Sequence, residues 1–147
     1  MQNDRIDTMT AVNAPEETFT GSVIISGYFR REVPSRLAGA TVNFSPGSRT
    51  PWKVNSLGQT LIVTKGAGLA KVEGGEAVEL QSGDIIWFPP GCRHWEGAKP
   101  QTSLIYVAIH EIESNSGVEF EEKVSDEEYH RAVSSLKRIQ RDRGRCA

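Results

Sequence analysis

The chain of 147 residues has no apolar run approaching the ~20 residues of a membrane-spanning helix. That excludes a helical membrane protein. It also lacks a strong charge of either sign: 17 basic and 19 acidic side chains leave a formal net charge of −2. Such a balance supplies no overall field for nucleic acid or for an anionic membrane, so neither partner is expected. The first residues, "MQNDRIDTMTAVNAPEETF", contain no apolar core of a secretory signal, and a cytoplasmic location is expected. Cysteine is scarce as well. Cys92 and Cys146 have no metal-type spacing. A disulfide between them is one reading, and free thiols in a reducing compartment the favoured one. Cys92 beside Arg93 weakly suggests a reactive thiol, but loop packing explains both better.

What the sequence does contain is a series of short β-type segments separated by turn signals. "SVIISGYF", "ATVNFSPGS", "TLIVTKGAGLAKVE", "EAVEL", "DIIWFPPG" and "SLIYVAIHEI" follow one another, with Gly74-Gly75 marking a tight hairpin and the double proline 89–90 stopping a strand. This spacing predicts an all-β closed sandwich or barrel. After residue 124 the period changes. Tyr129, Ala132, Val133 and Leu136 fall on one helical face. Ser125 and Glu128 form a capping box, with Val124 and Tyr129 as a hydrophobic staple around it. Arg138, Arg141, Arg143 and Arg145 suit the negative end of that helix. The predicted organisation is a flexible arm over 1–18, a barrel over 19–124, and a C-terminal helix and tail over 125–147.

Two segments carry a more specific pattern. Gly47 is followed by five residues, then Lys53-Val54-Asn55, three residues, Gln59, six residues and Gly66. Gly83 is followed by five residues, then Pro89-Pro90-Gly91, two residues and His94. These spacings resemble the two signature motifs of the cupin superfamily, in which the first reads Gly-x5-His-x-His-x3,4-Glu/Gln-x6-Gly and the second Gly-x5-Pro-x-Gly-x2-His. The resemblance spans about residues 19 to 130 and implies a single-domain cupin: a jelly-roll β-barrel with a short C-terminal α-helix. The wording "LGQTLIVT", "PPG" and "HW-GA" is similar to that of small bacterial cupins of the manganese-dependent hydroxynitrile lyase type. In that group the metal is held at the positions that here carry Lys53, Asn55, Gln59 and His94, and only Gln59 and His94 match. A further pair of pocket histidines corresponds to Glu96 and Tyr106.

Alternation along strands maps the expected interior. His94 and Glu96 share one side, as do Tyr106, Ala108 and His110, and as do Ala40, Val42 and Phe44. The expected chamber holds Lys53, Asn55, Gln59, His94, Glu96, Tyr106 and His110 on apolar walls that include Trp52 and Trp95. Asn55 is a poor ligand for Mn or Fe, and a protonated Lys53 repels a cation. No metal is therefore expected; a weak Mn, Fe, Ni or Zn site would use Gln59, His94, Glu96 and His110.

Lys53 has two readings. Its ammonium fills the space of the family's metal, neutralised by Glu96 and held by Asn55 and Gln59. Alternatively, burial depresses its pKa and makes it a base or amine nucleophile. His94 and His110 suit proton transfer, while Tyr106, Asn55 and Gln59 suit hydrogen bonding to an oxyanion. His110 also fits as a hydrogen-bonded wall residue, and His130 as an exposed helix residue without a role. The favoured expectation is a metal-independent cupin enzyme performing isomerisation, elimination, lyase or cyclisation chemistry on a small carbonyl compound. The alternatives are a metal-dependent lyase or dioxygenase with rearranged ligands, and a non-enzymatic cupin that binds a small molecule. A homodimer is expected from the family resemblance alone.

Overall fold

The computed structural model describes residues 1–136. Ten strands run in chain order: β1 (Val12–Asn13), β2 (Val23–Arg30), β3 (Leu37–Phe44), β4 (Lys53–Val54), β5 (Gln59–Val72), β6 (Ala77–Gln81), β7 (Ile85–Phe88), β8 (His94–Ala98), β9 (Leu104–Glu111) and β10 (Glu119–Phe120). Every pairing is antiparallel. Among the described residues one α-helix, α1 (Asp126–Ser135), follows them. No helix among the described residues is long and apolar enough to cross a membrane.

The long strand β5 organises the barrel. Its first half pairs with β9 and β7, and its second half with β6 and β8. Between the halves the register shifts after Val63, next to Gly66 at φ +82°. A side chain there would meet the Ser103 carbonyl oxygen at 1.9 Å, so glycine is required by both backbone conformation and space. The bulge turns one strand from the layer β1–β2–β3–β9–β5–β7 into the layer β6–β5–β8–β4–β10, curling the sheet around an interior.

Two hydrophobic clusters result. The inner one gathers Val42, Phe44, Leu61, Val63, Val72, Phe88, Tyr106 and Ala108 between the layers. The outer one packs Trp52, Leu69, Ala77, Trp95, Val124, Tyr129 and Ala132 beneath α1, with Val133 and Leu136 against them. The helix is fixed as its sequence predicts. The Ser125 hydroxyl accepts from the Glu128 backbone N–H, and the Glu128 carboxylate accepts from the Ser125 N–H, each at 3.0 Å. Arg49 adds a tie with no signal in its local sequence. Buried against the barrel, it donates to the Val124 carbonyl at 3.0 Å, pairs with Asp126 at 2.6 Å and lies 4.5 Å over the Tyr129 ring.

Two expectations need revision. The first 18 residues are not wholly a free arm: β1 pairs with β2, and Ala14 is buried in the inner cluster. Cys92 is not a free thiol, and it is buried in the inner cluster. Cys146, and the arginines at 138, 141, 143 and 145, lie outside the described residues.

Candidate active site

Cross-strand register builds the chamber, since directly opposed residues share a face. Lys53 stands opposite His94, His94 opposite Val72, and Glu96 opposite Ala70. On the other layer, Gln59 stands opposite His110, Leu61 opposite Ala108, and Val63 opposite Tyr106. Continuing outward, His110, Ala108 and Tyr106 face Ala38, Ala40 and Val42. Lys53, Asn55, Gln59, His94, Glu96 and Tyr106 are buried, and His110 is half-buried.

The two layers are tied across the interior by polar contacts. The Lys53 ammonium donates to Gln59 Oε1 at 3.1 Å and pairs with Glu96 Oε1. Tyr106 Oη donates to the same Glu96 oxygen at 2.7 Å. Asn55 Nδ2 donates to the Gly117 carbonyl at 2.9 Å, bringing the segment after β9 onto the chamber. Gly117 presses so closely on His110 that a side chain there would lie 2.2 Å from the imidazole.

The orientation of His94 is fixed. Its ring stacks on Phe88 with centroids 3.7 Å apart, and Nδ1 lies 2.9 Å from the Cys92 carbonyl. A carbonyl only accepts, so Nδ1 carries the proton and Nε2 presents its lone pair. That Nε2 lies 3.6 Å from Glu96 Oε2. Neither atom has a hydrogen-bond partner among the described residues, nor do Asn55 Oδ1 and His110 Nδ1.

The electrostatics follow from burial and from Lys53. Burial pushes His94 down to about 4, opposed by the Glu96 carboxylate and reinforced by Lys53, so the imidazole is neutral at pH 7. Burial alone would raise Glu96, but Lys53, His94 and the hydrogen bonds from Lys53 and Tyr106 together hold it below the usual carboxylate range. Burial and the neighbouring Glu96 raise Tyr106 well above its ordinary value, keeping it a donor. Burial and then Lys53 lower His110.

The donor set does not fit a divalent metal. At the four positions implied by the motifs stand an ammonium without a lone pair, two amides and one imidazole. The rearranged set of Gln59, His94, Glu96 and His110 fares no better, because Gln59 and Glu96 already bind the Lys53 ammonium. No group of three or more His, Cys, Asp or Glu side chains is placed to hold a metal among the described residues.

Of the expected wall residues, Val42, Phe44 and Ala108 join Tyr106 in the inner cluster, and Ala40 stands opposite Ala108. Trp52 and Trp95 do not line the chamber. They belong to the outer cluster, because the alternation that turns Lys53, His94 and Glu96 inward turns their neighbours outward. Phe88, opposite Gln59, and Gly117 complete the chamber without having been singled out. For Phe88 the signal was available in the alternation of "DIIWF"; for Gly117 there was none.

Residues 40–110 match the cupin domain family. Over 131 residues the chain is 44% identical to the (R)-mandelonitrile lyase of Granulicella tundricola, covering 89% of this chain and 100% of that protein. The crystal structure of a cupin-like protein from Thermotoga maritima matches with a TM-score of 0.77 at 32% identity, over 82% of this chain and 92% of the other. The polyketide cyclase RemF of Streptomyces resistomycificus matches with a TM-score of 0.71 over 92% of this chain and 98% of its own; at 17% identity the likeness is one of fold. On shared motifs, shared topology and this identity, the chain belongs to the cupin family as a small single-domain member.

Proposed function

We propose that the protein is a metal-independent lyase that cleaves, and in reverse forms, the bond between a hydroxyl-bearing carbon and a carbanion leaving group. One observation carries this reading: two buried acceptors, His94 Nε2 and Glu96 Oε2, lie 3.6 Å apart, and neither has a hydrogen-bond donor among the described residues. Leaving such groups unsatisfied costs about 1–3 kcal/mol each. A substrate hydroxyl that donates to His94 Nε2 relieves that cost at the imidazole.

The chemistry then runs on this chain's own side chains. His94 Nε2 takes the hydroxyl proton, and Glu96 Oε2 stabilises the imidazolium that forms. The O–H electron pair becomes the new C=O bond, and the pair of the breaking carbon–carbon bond leaves with the carbanion. The leaving group then takes the proton back from His94. The products are a carbonyl compound and the protonated leaving group. Lys53, with two of its three N–H groups committed to Glu96 and Gln59, acts as a fixed positive charge that offsets the developing negative charge. This role differs from that of an amine nucleophile. It places a permanent cation where the resemblance places a metal. The relative named (R)-mandelonitrile lyase supports the reaction class, since a cyanohydrin has the required hydroxyl and leaving group.

The test is mandelonitrile cleavage by protein dialysed against a chelator. Wild type is expected to turn over, and His94→Gln to lose about 10²–10⁴-fold, the range of a general base. Equal turnover by wild type and His94→Gln would refute the assignment.

A further inference from the structure

At one end of the barrel a cavity of about 640 Å³ lies between the β2–β3 connection and the segment after β9. Arg30, Arg31 and Arg36 line it, with one carboxylate, Glu32. None of these four groups is in an ion pair among the described residues, whereas Arg49, Arg93 and Arg131 each have a carboxylate partner. The Arg31 guanidinium lies 5.0 Å from the Phe29 ring. Three guanidiniums around one concavity repel one another unless an anion is shared between them.

Register connects this cavity to the chamber. Arg30 stands opposite Ala38, Ala38 opposite His110, and His110 opposite Gln59, so Arg30 begins the cross-strand row that ends in the chamber. The β3–β9 ladder continues one step past Leu37, as the Ile112 N–H donates to the Arg36 carbonyl at 2.8 Å. Arg36 therefore falls on the same sheet face as Ala38, roughly 7 Å further out. The segment after β9 bridges both spaces. Its tight turn, with Ser114 and Asn115 at φ 49° and 75°, lines the cavity, and Gly117 then lies against His110 and accepts from Asn55.

We infer that the arginine cavity is the outer part of the substrate site, and that the substrate is a small molecule bearing an oxyanion, a carboxylate or a phosphate. Guanidinium forks bind both groups in bidentate fashion, and the Ser114 hydroxyl and Asn115 amide add neutral donors. The hydroxyl end of such a molecule points toward His94 and Glu96 while its anion stays among the arginines. This inference rests on the chamber being the reaction site.

Calorimetric titration of the full chain with mandelate, mandelamide and phenyl phosphate tests it separately from turnover. At least one anion is expected to bind ten or more times more tightly than the amide, and the order of the two anions identifies the oxyanion. The double variant Arg30→Gln/Arg36→Gln, at exposed positions, is expected to bring the three affinities within about twofold while keeping the wild-type thermal midpoint. Glu96→Gln, even if inactive, should keep the anion preference, so a failed lyase assay does not decide this question. Amide binding equal to both anions, no binding of either anion, or a preference that survives the double variant would overturn the inference.

Discussion

The two faces of strand β8 are one residue apart and obey opposite rules. Outward, Trp95 sits in an apolar cluster in which Tyr129 Oη donates to the Ala98 carbonyl at 2.7 Å and Trp52 Nε1 donates to Glu128 at 3.3 Å. Inward, His94 and Glu96 are as deeply buried, yet each keeps a polar atom without a partner among the described residues. Equal burial with unequal satisfaction sets the inner face, the proposed ligand site, apart from the face that packs against the helix. The same contrast divides the arginines. Arg49 and Arg93 fix α1 and the segment before it, through Asp126 and Glu121, while Arg30 and Arg36 have no carboxylate partner among the described residues.

Substituting both faces should separate the two roles. Glu96→Gln is expected to reduce kcat/KM by about 10²–10⁴-fold, because it removes the anion that supports the His94 imidazolium. Trp95→Ala should destabilise the fold by about 3–5 kcal/mol in urea unfolding and leave kcat per folded molecule nearly unchanged. If Trp95→Ala alters kcat as much as Glu96→Gln does, the division between faces fails.

Removing the charge at Lys53 sharpens the inner side. Lys53→Met leaves Glu96 buried without its cation and is expected to cost about 3–5 kcal/mol, with part recovered in Lys53→Met/Glu96→Gln. A single variant as stable as wild type would show that the pair contributes nothing to holding the chamber.

A smaller effect is expected with pH. His94 is held at about 4 against an ordinary 6.5, so the unfolded chain takes up the proton first. Its contribution is complete above pH 6.5, is lost as pH falls toward 4, and amounts to on the order of 3 kcal/mol. Glu96, also lowered, adds a loss of the same sign as pH falls through the carboxylate range. Unfolding by calorimetry between pH 7 and pH 4 should show this slope, and His94→Gln should reduce it, leaving the shares of Glu96 and His110. An unchanged slope would mean that His94 is not held neutral by burial.

Much of this was legible in the chain. The spacings Gly47 to Gly66 and Gly83 to His94 mark the family, and alternation places His94, Glu96, Tyr106 and Ala108 on inner faces because antiparallel strands enforce it. The same rule, applied consistently, would have excluded Trp52 and Trp95. Other features were not readable. Arg49 reaches Asp126 across most of the sequence, Gly117 lies in a loop without periodicity, and the arginine cavity joins two strand ends that only the fold brings together. The chemistry of Lys53 depended equally on partners. Only the contacts with Glu96 and Gln59 distinguish a fixed ammonium from a free amine.

The central claim is that this ammonium stands in for the family's metal. Elemental analysis of the purified protein after dialysis, with mandelonitrile turnover measured before and after chelation, tests it most directly. The account predicts Mn, Fe, Ni and Zn far below one atom per chain and unchanged turnover. A stoichiometric metal that survives dialysis, with activity lost to the chelator and restored by that metal, would contradict it.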